Sequence, residues 1–228
     1  MNLQGLFKEA VNLLDFISEP GVVPDKSMTP SKLIVYLESL PIDVMNRYYE
    51  SWPKRERKGK NFKIRWLSKV TLAEVSSVMQ HISENYPLPA SPYVYSYKKG
   101  SRTADCAQNF VGMKYIVALD IKDFYYAITG KMVEELYLKY LIRKFSPSSP
   151  INILKAKCIA KIYSIILMAK DVRPDDISFK DDRVLLQGTP HAGMIANAVL
   201  YSLDEQLFGV CTGRGYKYAR YSDNFYIG

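Results

Sequence analysis

Residues 216–228 read YKYARYSDNFYIG, two strands joined by a tight turn at Ser222-Asp223-Asn224, because Asp and Asn tolerate the backbone geometry of a turn. Asp223 therefore falls at the tip of a hairpin. A second stretch, KYIVALDI at 114–121, is apolar and β-branched enough to be a buried strand, and it ends on Asp120. The two aspartates lie 103 positions apart (223 minus 120), and a sheet that set this strand beside the hairpin would bring their carboxylates together. Two such carboxylates repel unless cations lie between them. Oxygen ligands suit Mg²⁺, which binds through one or two carboxylates plus substrate phosphates, and a metal pair can activate an attacking oxygen and stabilise a leaving one. Each aspartate alone reads as an ordinary strand-end or turn residue; the combination points to chemistry.

Between these segments the pattern predicts helices at about 131–144 and 151–169, then a short strand at Val184–Leu186 entering Gln187-Gly188-Thr189-Pro190. Ala192, Ile195, Ala196, Val199, Leu203 and Leu207 follow as one apolar helical stripe, whose small residues permit close packing on a sheet. Upstream, Leu3, Leu6, Phe7, Ala10, Leu13, Leu14 and Ile17 predict a packing helix over 3–18, stopped by Glu19-Pro20-Gly21. A second helix is expected from Pro30 to Tyr49, capped by Thr29, and a third at about 70–85. Tyr93, Tyr95 and Tyr97 alternate ahead of Lys98, Lys99 and Arg102. Such a face either stacks bases beside phosphate-binding cations or packs a sheet against a helix.

The densest positive stretch lies between Lys54 and Lys69, and its second half alternates like a strand with Lys63 and Arg65 on one face and Ile64 and Trp66 on the other. A solvated edge strand is the plainer reading of these cations. The 228 residues carry 31 Lys and Arg against 23 acidic residues, a net charge of +8 that favours a polyanionic partner such as nucleic acid. With 48% hydrophobic residues the chain can bury a core, which excludes a disordered tail. Three widely spaced cysteines suggest neither a disulfide framework nor a zinc site, and fit a reducing cytoplasm. No apolar run reaches the ~18 residues of a membrane span, and the first residues read as an amphipathic helix, not a signal peptide. His81 and His191 read as surface or packing residues.

Three segments, ALDIKDFYYAI (118–128), LLQGTPHAGMIAN (185–197) and YARYSDNFYIG (218–228), resemble in order and spacing the palm motifs of bacterial reverse transcriptases of the retron and abortive-infection kind. YSYKKGSRTADCA (95–107) resembles the segment preceding the first catalytic aspartate there, and FKIRWLSK (62–69) more loosely resembles their fingers strand. The resemblance implies an α+β right-hand polymerase fold: an N-terminal helical region at 1–50, fingers at 51–113 and a palm at 114–228, with a helical insertion at about 131–182 and no thumb. It implies that Asp120 and Asp223 are catalytic metal ligands, with the Ile121 carbonyl and Asn224 completing the coordination of Mg²⁺ or Mn²⁺. Asp123 and Phe124 would face the nucleotide triphosphate, and Tyr125 would be the aromatic steric gate that excludes a 2′-hydroxyl. RNA-making relatives tend to carry a carboxylate near that position, so DNA synthesis is expected. Gln187 and Gly188 would lie against nucleotide and template, where a missing Cβ lets backbone approach. Lys63 or Arg65 would be the fingers cation on the triphosphate, and Tyr221, Lys98, Lys99 and Arg102 would meet primer and template.

The expected activity is RNA-directed or template-independent transfer of dNTPs onto a 3′-hydroxyl or a protein hydroxyl, in antiphage defence or a retroelement. Its partners would be nucleic acid, RNA template or DNA, and a protein or second copy supplying missing elements. The sequence departs from the family at Asn224, where a second aspartate is usual, and at Phe110, where retron relatives often have histidine. An amide oxygen can still coordinate a hard cation, with weaker affinity or altered metal preference. Losing that charge also opens the alternative of a catalytically impaired polymerase-like subunit that binds nucleic acid or assists assembly.

Overall fold

A computed structural model describes residues 2–17, 27–39, 49–53, 63–67, 72–170, 183–185, 189 and 191–228. Helices α1 (Leu3–Ile17) and α2 (Pro30–Ser39) precede an antiparallel hairpin of β1 (Tyr49–Pro53) and β2 (Lys63–Leu67). Helices α3 (Leu72–Asn85) and α4 (Thr103–Gln108) lead to β3 (Val117–Asp120), the single turn α5 (Phe124–Ala127), and the long α6 (Gly130–Phe145) and α7 (Pro150–Leu167). Two-residue strands β4 (Ala169–Lys170) and β5 (Arg183–Val184) then pair antiparallel, ahead of α8 (Ala192–Gly213), β6 (Tyr218–Tyr221) and β7 (Asn224–Ile227). The fold is mixed α+β, with a small antiparallel sheet ordered β3-β7-β6.

Helix α7 is the centre of the larger core. Ser149 caps it by accepting the Asn152 N–H at 3.3 Å, and Pro150 supplies the fixed φ that suits a first helical position. Ala156 and nearly every residue from Cys158 to Leu167 are buried, as befits a helix whose C-terminal half is apolar nearly all round and enclosed by other helices. Its neighbours are α1, α2 and α6, which present Leu6, Ala10 and Leu14, Leu33 and Leu37, and Val133, Tyr137 and Leu141. No described helix is long and apolar enough to cross a membrane.

Helix α2 opens as expected, with the Thr29 hydroxyl accepting the Lys32 N–H at 3.4 Å, but it ends at Ser39, and Tyr49 opens β1. Pro41 is the overlooked stop signal, since helices usually end at or before the residue preceding a proline. The expected buried strand at 114–121 is shorter and is not buried: β3 covers Val117–Asp120, and Val117 and Leu119 are each 54% exposed. Its sequence is apolar, yet β3 is the sheet edge, while α8 packs against β6 at the opposite edge. Tyr93, Tyr95 and Tyr97 do not share one face. Tyr93 stacks on Phe208, Tyr95 packs near Phe110, and Tyr97 has a left-handed backbone, φ 53°, that breaks the alternation. On α8 the stripe runs through Ile195, Ala196 and Leu200, but Leu203 is 40% exposed and the neighbouring Asp204 is buried instead.

His191, just before α8, is fully enclosed, and its Nε2 lies 2.9 Å from the Leu167 carbonyl, so that nitrogen carries the proton. Burial holds its pKa down to about 4, against a smaller opposing effect of the Leu167 carbonyl. An unfolded chain takes up this proton near pH 6.5, which the folded protein refuses. The group's contribution to stability is therefore complete above pH 6.5 and is lost as pH falls to about 4, by about 3 kcal/mol. Urea midpoints measured from pH 7 to 4 should fall more steeply for the native chain than for His191→Gln.

Candidate active site

Register brings the two aspartates together. β3 pairs with β7 so that Asp120 lies directly opposite Asn224, and Ile121 donates its N–H to the Asp223 carbonyl at 3.2 Å. Opposed residues leave the same sheet face with Cβ atoms about 4.5–5.5 Å apart. Because Tyr221 pairs with Asn224, the turn is the two-residue Ser222-Asp223, with Ser222 left-handed at φ 60°. Asn224 thus belongs to β7, and its amide donates to Asp223 Oδ1 at 2.9 Å. Asp120, Asp223, Asn224 and the Ile121 backbone, neighbours by register and hydrogen bonding, carry oxygen groups of the kind that suits a hard cation such as Mg²⁺. No cluster of three or more His, Cys, Asp or Glu occurs among the described residues.

Tyr125 sits beside them on α5. Asp123 precedes that helix with a left-handed backbone, φ 53°, and the turn buries Phe124 while leaving Tyr125 half-buried. The Tyr125 and Tyr97 hydroxyls are hydrogen-bonded, and the Tyr97 hydroxyl lies 3.1 Å from that of Ser222. Burial first, then the Tyr97 bond, and further the Asp223 charge raise the Tyr125 pKa well above the ordinary phenol range, against an opposing effect of Ser222. Tyr125 is a neutral hydroxyl at physiological pH.

Behind the turn lies a network that the sequence reading missed. Arg220 and Asp204, both 0% exposed, form a bidentate ion pair with both contacts at 2.7 Å. Tyr218 donates to Asp204 at 2.6 Å, and its pKa is raised by burial and by that bond. Arg220 also donates to the Asn197 side chain at 3.2 Å and to the Ser222 carbonyl at 2.6 Å. Asn197 donates to the Ser96 carbonyl at 2.9 Å, and the Ser96 hydroxyl accepts the Ser222 N–H at 2.7 Å. The guanidinium thereby anchors the turn that carries Asp223. Two signals were available: Arg220, two residues after Tyr218, shares its strand face, where a buried charge needs a partner, and Asn197 and Asp204 are seven apart on one helix face.

The remaining expected residues are distributed more widely. Lys98 and Lys99 are exposed on the turn after Tyr97. The Arg102 guanidinium is engaged with Asp105 at 3.1 Å and holds that carboxyl below the usual range. Tyr221, with Cys106, Phe110 and Tyr226, lines a largely apolar cavity of roughly 250 Å³ on the sheet face opposite α8. Lys63 and Arg65 alternate along β2, opposite Pro53 and Ser51. Gln187, Gly188 and Pro190 lie outside the described residues. His81, on α3, pairs with Glu9, far from the aspartates in the sequence.

No protein-family model matches the chain. It is 30% identical to the retron Mx65 reverse transcriptase of Myxococcus xanthus over 139 residues, 60% of this chain and 30% of that protein. It is 24% identical to the retron Mx162 reverse transcriptase of the same organism over 215 residues, 94% of this chain and 42% of that protein. The chain thus spans less than half the length of either relative, and its similarity is to retron reverse transcriptases.

Proposed function

We propose that this chain is the fingers-and-palm part of a reverse transcriptase that adds deoxynucleotides to a 3′-hydroxyl on an RNA template. The observation that carries the reading is the register of Asp120 opposite Asn224, which brings Asp223 beside Asp120 within a region similar to retron reverse transcriptases. In this reading Asp120 and Asp223, with the Ile121 carbonyl and Asn224, hold Mg²⁺ or Mn²⁺. Such ions supply activation of the attacking oxygen and charge stabilisation on the leaving one.

The chain's own residues do the rest. Asp120 and Asp223 concentrate negative charge at one end of the sheet, and the Asn224 amide orients Asp223 by donating to it. The Asp123-Phe124 backbone borders the triphosphate. Tyr125 stands under the sugar, where its ring takes the space of a 2′-hydroxyl. Lys63 or Arg65 would neutralise the triphosphate, and Gln187 and Gly188 would lie against the base pair. Lys98, Lys99, Arg102 and Tyr221 would hold primer and template through phosphate contact and stacking. We place that activity in antiphage defence or a retroelement; the relatives are named as retron reverse transcriptases.

A second reading, a polymerase-like module without catalysis, is favoured by Asn224, which here serves Asp223 as a hydrogen-bond donor and brings no charge of its own. Incorporation of labelled dNTPs by the complete protein with Mg²⁺ or Mn²⁺, with and without RNA template, separates the two. Template-dependent incorporation supports the polymerase; nucleic acid bound without incorporation supports the module. If the steric gate is Tyr125, Tyr125→Ala should raise ribonucleotide use relative to deoxynucleotide use by roughly 10–100-fold, measured as the ratio of kcat/KM values. Unchanged sugar preference would remove Tyr125 from that role.

A further inference from the structure

Tyr97 combines two local features that require explanation. Its backbone is left-handed at φ 53°, a conformation unfavourable for a bulky residue and sustained only where the surroundings enforce it. Its ring also lies so close over the first turn of α8 that a Cβ on Gly193 would fall 2.0 Å from the ring's Cγ. No side chain could occupy position 193 without moving the tyrosine. The backbone on its amino side is fixed as well, since the Ser96 carbonyl accepts from Asn197 and the Ser96 hydroxyl accepts from the Ser222 N–H.

The result is a phenol tip delivered to a single point. The Tyr97 hydroxyl meets the Tyr125 hydroxyl and lies 3.1 Å from the Ser222 hydroxyl, one residue before Asp223. It is the junction between the ring under the sugar site and the turn that carries a carboxylate. A ring anchored only at its own Cα turns about χ1 and χ2, whereas one held at its far end keeps its distance from the turn.

Resting on the polymerase reading, we infer that Tyr97 is a positioning residue for sugar selection: its hydroxyl ties the Tyr125 ring to the Ser222-Asp223 turn and so fixes the space left for a nucleoside triphosphate's 2′ position. Tyr97→Phe removes one oxygen and keeps the ring's packing. Gly193→Ala displaces the whole ring and is an independent second variant.

With the complete protein, kcat/KM should be measured for a deoxynucleotide and the matching ribonucleotide in the native chain and both variants. Deoxynucleotide preference is expected to fall roughly tenfold or more in each, through improved ribonucleotide use. In nucleotide-free protein carrying ¹³Cζ-tyrosine, the Tyr125 resonance should shift in Tyr97→Phe. A native chain that discriminates, beside a Tyr97→Phe chain that discriminates equally, would overturn this inference and leave the polymerase reading standing. So would an unmoved Tyr125 resonance, or equal losses on both sugars, which would mark general disruption of the site. A native chain that incorporates neither sugar would bring down the polymerase reading and this role together.

Discussion

Asp120→Ala and Asp223→Ala should each lower deoxynucleotide incorporation by on the order of 10³-fold or more, with nucleic-acid binding retained. Both side chains lie at one end of the β3–β7 pairing, where the Ile121 N–H binds the Asp223 carbonyl at 3.2 Å. Removing either leaves a single carboxylate, and Asn224 contributes no charge to replace the loss. The Asp120 side chain is exposed and has no structural duty among the described contacts, so Asp120→Ala should fold and melt like the native chain. Filter binding to a labelled primer–template beside gel-based extension separates lost chemistry from lost binding. Incorporation surviving in both variants would end the two-carboxylate assignment.

Asp204→Ala should destabilise the fold by about 3–5 kcal/mol, because it leaves the Arg220 guanidinium buried without a counter-charge. The effect is readable as a lowered urea midpoint with an unchanged slope. Replacing both partners with apolar residues, Asp204→Leu with Arg220→Met, should recover much of that stability, since two desolvated charges are removed together. It should not restore the turn, because the Arg220 bond to the Ser222 carbonyl would still be missing. Arg220→Lys is no substitute, as a point charge cannot reproduce the two parallel 2.7 Å bonds to Asp204 while also reaching Asn197 and Ser222. If Asp204→Ala melts like the native chain, the buried pair is not the anchor described above.

The parts legible in the sequence were those governed by local rules. Ser222-Asp223 reads as a turn because those residues tolerate its backbone, and α7 shows itself through the apolar spacing of its residues between about 151 and 169. The expected placement of the strand ending at Asp120 beside the hairpin that carries Asp223 is found in the sheet order β3-β7-β6. What escaped was set by contacts between distant segments. No local pattern pairs Arg220 with Asp204, since strand period and helix period say which face each occupies but not what stands opposite. The apolar character of β3 speaks for burial, yet exposure at a sheet edge depends on what covers it. Tyr93, Tyr95 and Tyr97 alternate as a strand would, but the left-handed turn at Tyr97 goes with its packing on Gly193 and its bond to the Ser222-Asp223 turn.

The enclosure of α7 also fixes an order of events in time. Helices α1 and α2 pack chiefly on a helix whose last residue is Leu167, 150 positions after Ile17 (167 minus 17). At ordinary synthesis rates of ~5–20 residues per second, α1 waits roughly 8–30 seconds on the ribosome before its partner is made. During that interval Leu6, Ala10 and Leu14 lack their principal packing surface, and a growing chain with bare apolar stripes is a natural client for a chaperone at the exit tunnel. The long wait belongs to the topology itself: the early helices are built first and can be used only after much of the chain has been made.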